Sequence, residues 1–348
     1  MKKTLIASAV AAISFSGAAA AQTTLSASEM AAKMDSMPSV YGNIQYAIAH
    51  DNFDGGPSNI EHFDNGSTLG VVHDHEIAPG VTGFFKIEID RLGADDIGSF
   101  QSGNDRIRID EAYIGVKGDR FGQVWVGSDD STYERAVTEI SEYFEVAALN
   151  QFVDYTTGEG DLVQYMSPSF GGLSLWGAVQ INGDNDTKGG NSKSYPYQLA
   201  AVYAVDALEL AAAVDSNDTS DGNNENTYGV RASFDMDALR VTGEFHTRKD
   251  ASDTFGIAGF YTLGRNTFAL AYELTQYDDN ASNFAGLDSD TVTLQALHNV
   301  SDNLYVYVEG YLGGGDDVYE YTDTIGGTAV TRSTDERSVA AIGATYYF

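Results

Sequence analysis

The feature that most constrains the fold of this chain is a two-residue alternation of apolar and polar side chains, sustained over about ten residues at a time. In the segment 265–277, Phe268, Leu270 and Tyr272 occupy even positions, and the odd positions between them are small or polar. Because successive side chains of a strand point to opposite faces, this pattern predicts strands with one apolar and one polar face. About ten tilted residues is also the length that a strand needs to cross a bilayer.

The connections between these segments alternate in length, as the hairpins of a membrane barrel do. Short turns such as 204–207 are followed by long acidic loops such as 215–226. Soluble sandwiches have shorter strands and lack this asymmetry. We therefore predict sixteen strands, with fourteen or eighteen as alternative counts, over residues 39–50, 66–76, 81–92, 105–117, 121–128, 161–167, 173–182, 195–204, 207–215, 226–235, 238–247, 253–262, 266–277, 289–299, 303–313 and 337–348.

The N-terminal region differs from the rest and predicts export. Residues 1–21 contain a basic pair, an apolar run and a small-residue cleavage site, in the order of a secretory signal peptide. The apolar run is too short to anchor the chain in a bilayer. Residues 22–38 form a leader, either a short helix packed on the barrel or a mobile segment, and residues 39–348 form the barrel domain.

The charge balance excludes several classes of function. The chain has 51 acidic residues against 19 Lys and Arg, a formal net charge of −32. Such a chain repels nucleic acid, because binding to the phosphate backbone requires clustered Lys and Arg. Apolar residues make up 43% of the sequence, which excludes a disordered chain. The absence of cysteine excludes disulfides and thiolate metal sites.

No residue pattern indicates catalysis, so we predict that the protein is not an enzyme and has no cofactor. His73 and His75 are spaced as a metal pair, but they lie at a predicted turn with no further ligands. Calcium in the acidic loops stays open, since crowded carboxylates are calcium ligands. The segment 215–222 resembles a calcium loop, although its glycine is at position eight instead of six and no glutamate follows at position twelve.

Several short motifs occur in a particular order along the chain. They include Val40–Ile44 in the opening strand, Gly80–Glu88, Ala112–Gly118, Tyr165–Pro168 and the terminal Gly343–Phe348. Together they resemble the general porins of Gram-negative outer membranes. The resemblance implies an all-β fold, a transmembrane antiparallel β-barrel of about 16 strands with a constriction loop folded into the lumen. It also implies a homotrimer in the outer membrane, contact with lipid and lipopolysaccharide, and passive passage of ions and small hydrophilic solutes.

The third loop of that family narrows the pore, and the matching gap in this chain is about residues 128–154. It is acidic, with Arg135 as its one basic residue. Where the family places arginines on the facing wall, this chain has Thr68, Asp110 and Ser128. Arg106 and Arg108 share a face with Asp110, so they either replace that positive wall in part or leave the constriction with one sign of charge. The pore constriction candidates are Asp110, Arg106, Arg108, Asp129, Asp130, Glu134, Arg135, Glu139, Glu142, Glu145, Lys86 and Glu88.

Carboxylates near a narrow opening raise the local concentration of cations and repel anions, so we predict a cation-selective channel. Two alternatives stay open. The first is a channel specific for one small solute, and the second is a structural or adhesive barrel whose acidic loops bind calcium.

Three further expectations concern particular side chains. The inward residues Tyr305, Tyr307 and Tyr311 form either an aromatic track for sugars or packing of the lumen wall. The parity of Glu111 points it outward, which requires either a neighbouring subunit or a bulge in its strand. Tyrosines expected in the interfacial girdles are Tyr46, Tyr113, Tyr203, Tyr261, Tyr272 and Tyr346.

Overall fold

The computed structural model describes residues 37–90, 92–95, 108–151, 155, 157–181, 195–218, 225–325 and 328–348. The expected signal peptide, nearly all of the leader and the candidate Arg106 lie outside these residues. Within them, no helix has the length and apolar character to cross a membrane.

The described chain consists of nineteen strands and one short helix, α1, at Thr132–Val137. The strands are β1 Ser39–Phe53, β2 Ser58–Asp64, β3 Thr68–Ala78, β4 Val81–Asp90, β5 Arg108–Gly118, β6 Gly122–Ser128, β7 Leu162–Met166, β8 Leu173–Gln180, β9 Tyr197–Val205, β10 Leu208–Asp215, β11 Thr227–Met236, β12 Leu239–Arg248, β13 Ser252–Leu263, β14 Asn266–Tyr277, β15 Asp288–Asn299, β16 Leu304–Gly315, β17 Tyr319–Ile325, β18 Thr328–Thr334 and β19 Arg337–Tyr347.

Seventeen of these strands form one closed antiparallel sheet with sixteen places in its wall. β1 pairs with β19, which closes the barrel and leaves no open edge in the lipid. β2 and β3 share one place, because the upper part of β1 pairs with β2 and its first five residues pair with β3. The predicted all-β barrel of about 16 strands is therefore confirmed, and each of the sixteen predicted segments overlaps a wall strand.

The alternation in the sequence separates the two faces of the wall. In β14, Phe268 and Leu270 are 45% and 56% exposed on the outside, whereas Ala269 and Ala271 are buried on the inside. The apolar outer face suits lipid, which offers no hydrogen bonds. The small inner residues leave room for a loop that packs against the wall.

A bulge in β5 changes the direction of its side chains. Ile89 of β4 pairs with Ile109, and Ile87 pairs with Ala112, so two residues of β5, Asp110 and Glu111, stand opposite one of β4. Glu111 therefore turns into the lumen, which decides between the two alternatives in favour of the bulge.

The same bulge corrects one member of the predicted girdle. Tyr113 pairs with Lys86 and packs edge-on against Phe84 on the lumen side. Its placement in an outer aromatic girdle is wrong, because the inserted residue reverses the parity of the rest of β5.

The apolar core of the barrel lies between its inner wall and the loop that joins β6 to β7. Residues of α1 pack against alanines of β9 and β10 near Val202. Further along the loop, Ile140, Phe144 and Leu149 pack against β13 and β14. The approach is close at Gly256, where an added Cβ would lie 2.8 Å from Cδ1 of Ile140.

One hairpin stands apart from the wall. β17 and β18 pair only with each other in the connection between β16 and β19. The hairpin is joined to the barrel at its base, where Tyr319 is buried beside Leu149 of the constriction loop.

Candidate pore constriction

The constriction loop, residues 129–161, is tied to the wall at its start and its end. Its first residue, Asp129, accepts hydrogen bonds from Nε1 of Trp125 at 2.6 Å, from Arg135 at 3.1 Å and from Gln164 at 3.1 Å. The amide of Asp129 donates to the carbonyl of Glu159 at 2.9 Å, so the two ends of the loop meet. The carboxylate of Asp129 therefore holds the loop.

The helix α1 begins with a side-chain cap. Ser131 accepts a hydrogen bond from the amide of Glu134 at 3.3 Å, which satisfies a free amide of the first turn. Tyr133 of α1 is fully buried, and its hydroxyl lies 2.8 Å from Nδ1 of His246 on β12. The helix is thereby fixed against the wall.

Two carboxylates of the wall hold the backbone of the loop. Glu244 of β12 accepts hydrogen bonds from the amides of residues 139 and 140, at 2.5 and 2.9 Å. Glu309 of β16 accepts from the amides of residues 145 and 146, at 2.7 and 3.0 Å. Both are buried charges that gain hydrogen bonds from the loop, so the loop and the wall stabilise each other.

Glu139 of the loop binds the part of the wall formed by β11 and β12. It forms ion pairs with Arg231 of β11 at 2.6 Å and with Arg240 of β12, and it accepts from Ser233 at 2.8 Å and Thr242 at 2.9 Å. Burial alone raises the pKa of this carboxyl, but the hydrogen bonds from Arg240 and Ser233 and the two positive charges lower it to about 2. Glu139 therefore stays ionised, but the two arginines balance its negative charge, so it contributes little to the electric field in the lumen.

The facing wall at β4 and β5 carries two cations, each shared between two carboxylates. Lys86 forms ion pairs with Glu111 and, at 3.5 Å, with Glu88. Arg108 lies 3.0 Å from Asp90 and 3.5 Å from Asp110. The carboxylates on this wall outnumber the cations. The resemblance to general porins implies a positive wall facing the loop, and this wall is not positive.

Two loop carboxylates face the water of the lumen. Asp130 and Glu142 are both exposed. The surrounding protein removes part of the bulk water around Asp130, and together with the charges of Asp129 and Glu134 this raises its pKa to about 6. Desolvation and the charge of Glu134 likewise raise the pKa of Glu142. Nearby negative charges thus favour the protonated forms of Asp130 and Glu142.

The charged groups of both walls form one electrostatically linked cluster. Interactions run from Glu142 through Glu134 and Asp130 to Glu159, and from there to Asp110. Apart from Glu244, which also interacts with Glu142 but is bound to the loop amides, nine carboxylates of this cluster among the described residues stand against three cations. The carboxylates belong to Glu88, Asp90, Asp110, Glu111, Asp129, Asp130, Glu134, Glu142 and Glu159, and the cations to Lys86, Arg108 and Arg135.

Most of the residues chosen from the sequence come together in this cluster. Glu139 and Glu145 do not, because both are held at the wall, the second by the hydroxyl of Tyr305 at 2.8 Å. The sequence reasoning missed Asp90, Glu159 and the clamp formed by Arg231 and Arg240. The arginines lie on the polar face of predicted strands, which was the available signal.

The tyrosines of β16 line the wall beneath the loop. Tyr307 is 2% exposed and Tyr311 is fully buried. The hydroxyl of Tyr311 accepts a hydrogen bond from the amide of Ala147 at 2.9 Å. These two rings pack the lumen wall and do not form an open aromatic track.

A comparison of the sequence with known protein families agrees with this geometry. The model of the Gram-negative porin family matches residues 7–317 of the chain. The chain belongs to the Gram-negative porin family. As a porin with a closed barrel and a loop folded into its lumen, it is an outer-membrane channel protein.

The porin has relatives that match 88% to 100% of its length. A "Monosaccharide porin" of Halomonas sp. and the "Major outer membrane protein" of Halomonas elongata are each 30% identical over 398 residues, covering 100% of both chains. The "Porin-like protein L" of Photobacterium profundum is 26% identical over 335 residues, covering 88% of this chain and 91% of that protein.

Solved structures share the fold of the porin. OmpF of Salmonella typhi, solved with daunomycin, superimposes with a TM-score of 0.69 at 18% identity. An anion-selective porin from Comamonas acidovorans superimposes with a TM-score of 0.68 at 15% identity. Each comparison covers 90% of this chain and 99% of the other.

Proposed function

We propose that this porin forms a water-filled channel for passive diffusion of ions and small hydrophilic solutes, and that the channel is cation-selective. The observation that carries the proposal is the charge of the constriction, where nine carboxylates stand against three cations that are themselves ion-paired. Such a cluster between low-dielectric walls concentrates cations and repels anions. Passage is diffusion past a filter and requires no catalytic group.

Selectivity in this proposal depends on the lining charges and not on the barrel. The structural neighbour from Comamonas acidovorans is anion-selective by its name, yet it has the same fold. At 15% identity the likeness extends to the fold alone, so the sign of selectivity must come from side chains such as Asp130 and Glu142 of this chain.

The test is the zero-current potential across a planar bilayer in a salt gradient. At a pH above the raised pKa values of both groups, the wild type should show cation preference, and the double variant Asp130→Asn, Glu142→Gln should lower the cation-to-anion permeability ratio severalfold. Asp110→Arg should lower it further, because it adds a positive charge at the facing wall. An anion preference of the wild type, or none, would contradict the proposal.

A matched control removes a carboxylate outside the lumen. Asp302 is exposed in the short connection between β15 and β16, so Asp302→Asn should leave the permeability ratio unchanged. The same recordings address the adhesive alternative, because a plugged barrel would conduct little.

A cavity at the mouth favours a solute-specific channel as the second candidate. It has a volume of about 590 Å³ and is lined by Gln151 of the constriction loop and by Arg248, Tyr277 and Ser289 at the ends of wall strands. Asn150 also lines it, and both polar atoms of that side chain lack a hydrogen-bond partner among the described residues. Amide, hydroxyl and aromatic groups are those that bind sugars, and one relative is named a monosaccharide porin.

This second candidate predicts saturable passage. Adding a monosaccharide should reduce the ion current in a concentration-dependent way, and Asn150→Ala should weaken that block. A current that is indifferent to monosaccharides up to high concentration would exclude it.

We further propose that the porin is a homotrimer set in lipid and lipopolysaccharide and that it works without a cofactor. The structural neighbours include a trimer form of OmpT from Vibrio cholerae. The carboxylates of Glu111, Asp129 and Asp130 lie within 4.8 Å of one another, a spacing that suits a cation. We infer that the ammonium of Lys86, paired with Glu111, supplies that positive charge in place of calcium.

A further inference from the structure

A buried hydrogen-bond network joins the constriction loop to the wall at β9 and β10. At its centre is Asp215, the last residue of β10, which is fully buried beside the equally buried Gln198 of β9. Asp215 accepts hydrogen bonds from the side-chain amide of Gln198 at 2.7 Å, from the backbone amide of Thr157 at 3.3 Å and from that of Asn217 at 2.7 Å. Three segments that are distant in the sequence therefore meet at one carboxylate.

Asp215 determines the direction in which the amide of Gln198 points. A carboxylate accepts hydrogen bonds and donates none, so the amide nitrogen of Gln198 faces Asp215. The same nitrogen donates to Oγ of Ser131 at 2.8 Å, and the amide oxygen accepts from the backbone amide of Tyr133 at 3.1 Å. Gln198 thus binds the N-cap residue of α1 and an amide of its first turn, with donor and acceptor in the order that Asp215 requires.

A second glutamine holds the residues around Asp130 from another strand. Gln164 of β7 is fully buried, donates to Asp129 at 3.1 Å and accepts from Oγ1 of Thr132 at 2.8 Å. Asp130 itself is exposed to the lumen. The backbone that carries this loop carboxylate is therefore fixed on both sides by wall side chains that have no charge of their own.

The network also reaches the connection between β10 and β11. Asn217 has a φ of +50°, in the left-handed region that asparagine tolerates, and is 1% exposed. Its side-chain amide donates to the carbonyl of Glu225 at 2.7 Å and to Oγ1 of Thr227 at 2.8 Å. These bonds close the base of that connection beside the carboxylate that holds the loop.

Packing of the wall does not by itself require a carboxylate at this place. The neighbouring inward residues of β9 and β10 are Ala200, Val202, Ala211 and Ala213, which pack against α1 through apolar contacts. Burial of a carboxylate is unfavourable unless hydrogen bonds replace its water, and here the loop supplies one of them. The polar network therefore serves the constriction loop.

We propose that Asp215 is a positioning residue of the filter. Through Gln198 it fixes the start of the constriction loop, which carries Asp130, and through the amide of Thr157 it fixes the end. Through Asn217 it links both to the connection between β10 and β11. The inference rests on the proposed function, because it concerns the loop carboxylates on which the proposed selectivity depends.

A reversal of donor and acceptor tests the network directly. Gln198→Glu sets two buried carboxylates against each other, so the start of the loop should lose its contact and the noise of the open-channel current should rise severalfold. Adding Asp215→Asn restores a donor opposite an acceptor at unchanged net charge, and the noise should return toward the wild-type level. A double variant as noisy as Gln198→Glu, or a single variant as quiet as the wild type, would overturn the proposal.

The pH profile separates positioning from general stability. Gln198→Leu is uncharged and similar in size, but it removes the side-chain hydrogen bonds to the loop. The pKa of Asp130, raised to about 6 by desolvation and by the charges of Asp129 and Glu134, should then fall toward the ordinary value of about 4. The midpoint of the pH-dependent cation preference should move with it.

The matched control for the pH profile is Thr275→Val. It removes a buried hydrogen bond of 2.9 Å to Thr254, which joins β13 to β14, and it should leave both the midpoint and the noise unchanged. The same midpoint and noise in Gln198→Leu as in this control would overturn the proposal.

Asn217→Gly tests the link to the connection between β10 and β11. Glycine adopts a positive φ without strain, so the variant removes the side-chain bonds and keeps the backbone. Its noise should lie between that of the wild type and that of Gln198→Leu. Asp206→Gly is the control, because Asp206 has the same φ of +50° in the short turn at the other end of β10. Equal noise in the two glycine variants would overturn this link.

Current noise does not depend on the sign of selectivity, so it distinguishes this inference from the proposed function. A wild type without cation preference contradicts the proposed function, and the noise of the reversed pair still tests the positioning. A cation-selective wild type whose noise and pH midpoint are unaffected by Gln198→Leu contradicts the positioning alone.

Discussion

At the scale of single residues, Asp130 makes the selectivity depend on pH. Its pKa is raised to about 6 by desolvation and by the charges of Asp129 and Glu134. A raised carboxyl pKa means that the group becomes neutral as the pH falls through 6, far above the ordinary range of aspartate. We therefore expect the cation preference to fall between pH 7 and pH 5, measured as zero-current potential. Asp130→Asn should flatten the curve around pH 6, and the same slope in both proteins would contradict the assignment.

Glu139 behaves in the opposite way, because its partners keep it charged. Its pKa is lowered to about 2, so its contribution to stability is present above the ordinary glutamate value and is lost as the pH falls toward 2. Glu139→Gln should weaken docking of the loop by roughly 1.5–3 kcal/mol, the range for hydrogen bonds to charged groups. The rate of cleavage within the loop in limited proteolysis and the noise of the open-channel current should both increase.

A neighbouring carboxylate provides the control for Glu139. Glu209 also pairs with Arg231, at 2.6 Å, but it belongs to the wall strand β10, and its ion pairs in the described structure are with the wall residues Arg231 and Arg240. Glu209→Gln removes the same charge beside the same arginine and should leave the loop docked. Similar noise in both variants would show that charge, and not the clamp, controls the loop.

The residues of the site were only partly predictable from the sequence. The acidity of the constriction loop was visible, since Arg135 stands alone among its carboxylates. Which carboxylate faces the lumen depends on partners that are distant in the chain. The charge of Glu139 is balanced by Arg231 and Arg240, 92 and 101 positions away, whereas Asp130 has no such clamp within the described part of the chain.

At the scale of elements, the hydrogen bonds from the loop to Glu309 of β16 predict that current noise increases stepwise as these bonds are removed. Glu309 accepts two backbone amides of the loop, and it also accepts from Gln295 at 2.8 Å and Tyr311 at 2.6 Å. Glu309→Leu removes both acceptor oxygens and leaves buried donors unpaired, which costs about 1–3 kcal/mol per group. Glu309→Gln keeps one acceptor oxygen. Current noise should therefore increase from wild type to glutamine to leucine, and equal noise in the two variants would contradict this mechanism.

The sixteen places in the wall were predictable because an alternating face is repeated in every membrane strand. The break between β2 and β3 was not, because it depends on a local cap. The carboxylate of Asp64 binds the amides of Gly66 at 3.1 Å and Ser67 at 2.7 Å, and Gly66 has a φ of +93°. The bulge in β5 likewise depends on pairing with β4, which a single strand does not reveal.

Two smaller elements carried signals in the sequence that periodicity alone overlooks. Ser131 and Glu134 have the spacing of a capping box at the start of α1. The strands β17 and β18 flank a Gly-Gly pair, at 326–327, which is typical of a tight hairpin. The helix α1 has six residues and no two-residue alternation, and β17 and β18 are shorter than the segments of about ten residues on which the prediction relied.

At the scale of the whole molecule, the net charge of −32 predicts sensitivity to salt. The Debye length falls from about 10 Å at 0.1 M to about 3 Å at 1 M, so carboxylates along the walls act over a shorter part of the opening. The permeability ratio for cations should therefore decline toward unity over this range, measured at a fixed ratio of salt concentrations across the bilayer. A ratio that is independent of ionic strength would indicate selection by size and not by charge.

The way in which the wall holds the constriction loop has a consequence for evolution. Glu244 and Glu309 bind backbone amides of the loop, which every residue except proline provides. Lumen-facing side chains such as Asp130 and Glu142 can therefore be replaced by mutation without releasing the loop. A lineage that meets a different mixture of nutrients can change the charge of its filter one residue at a time, while the scaffold that folds and inserts stays the same.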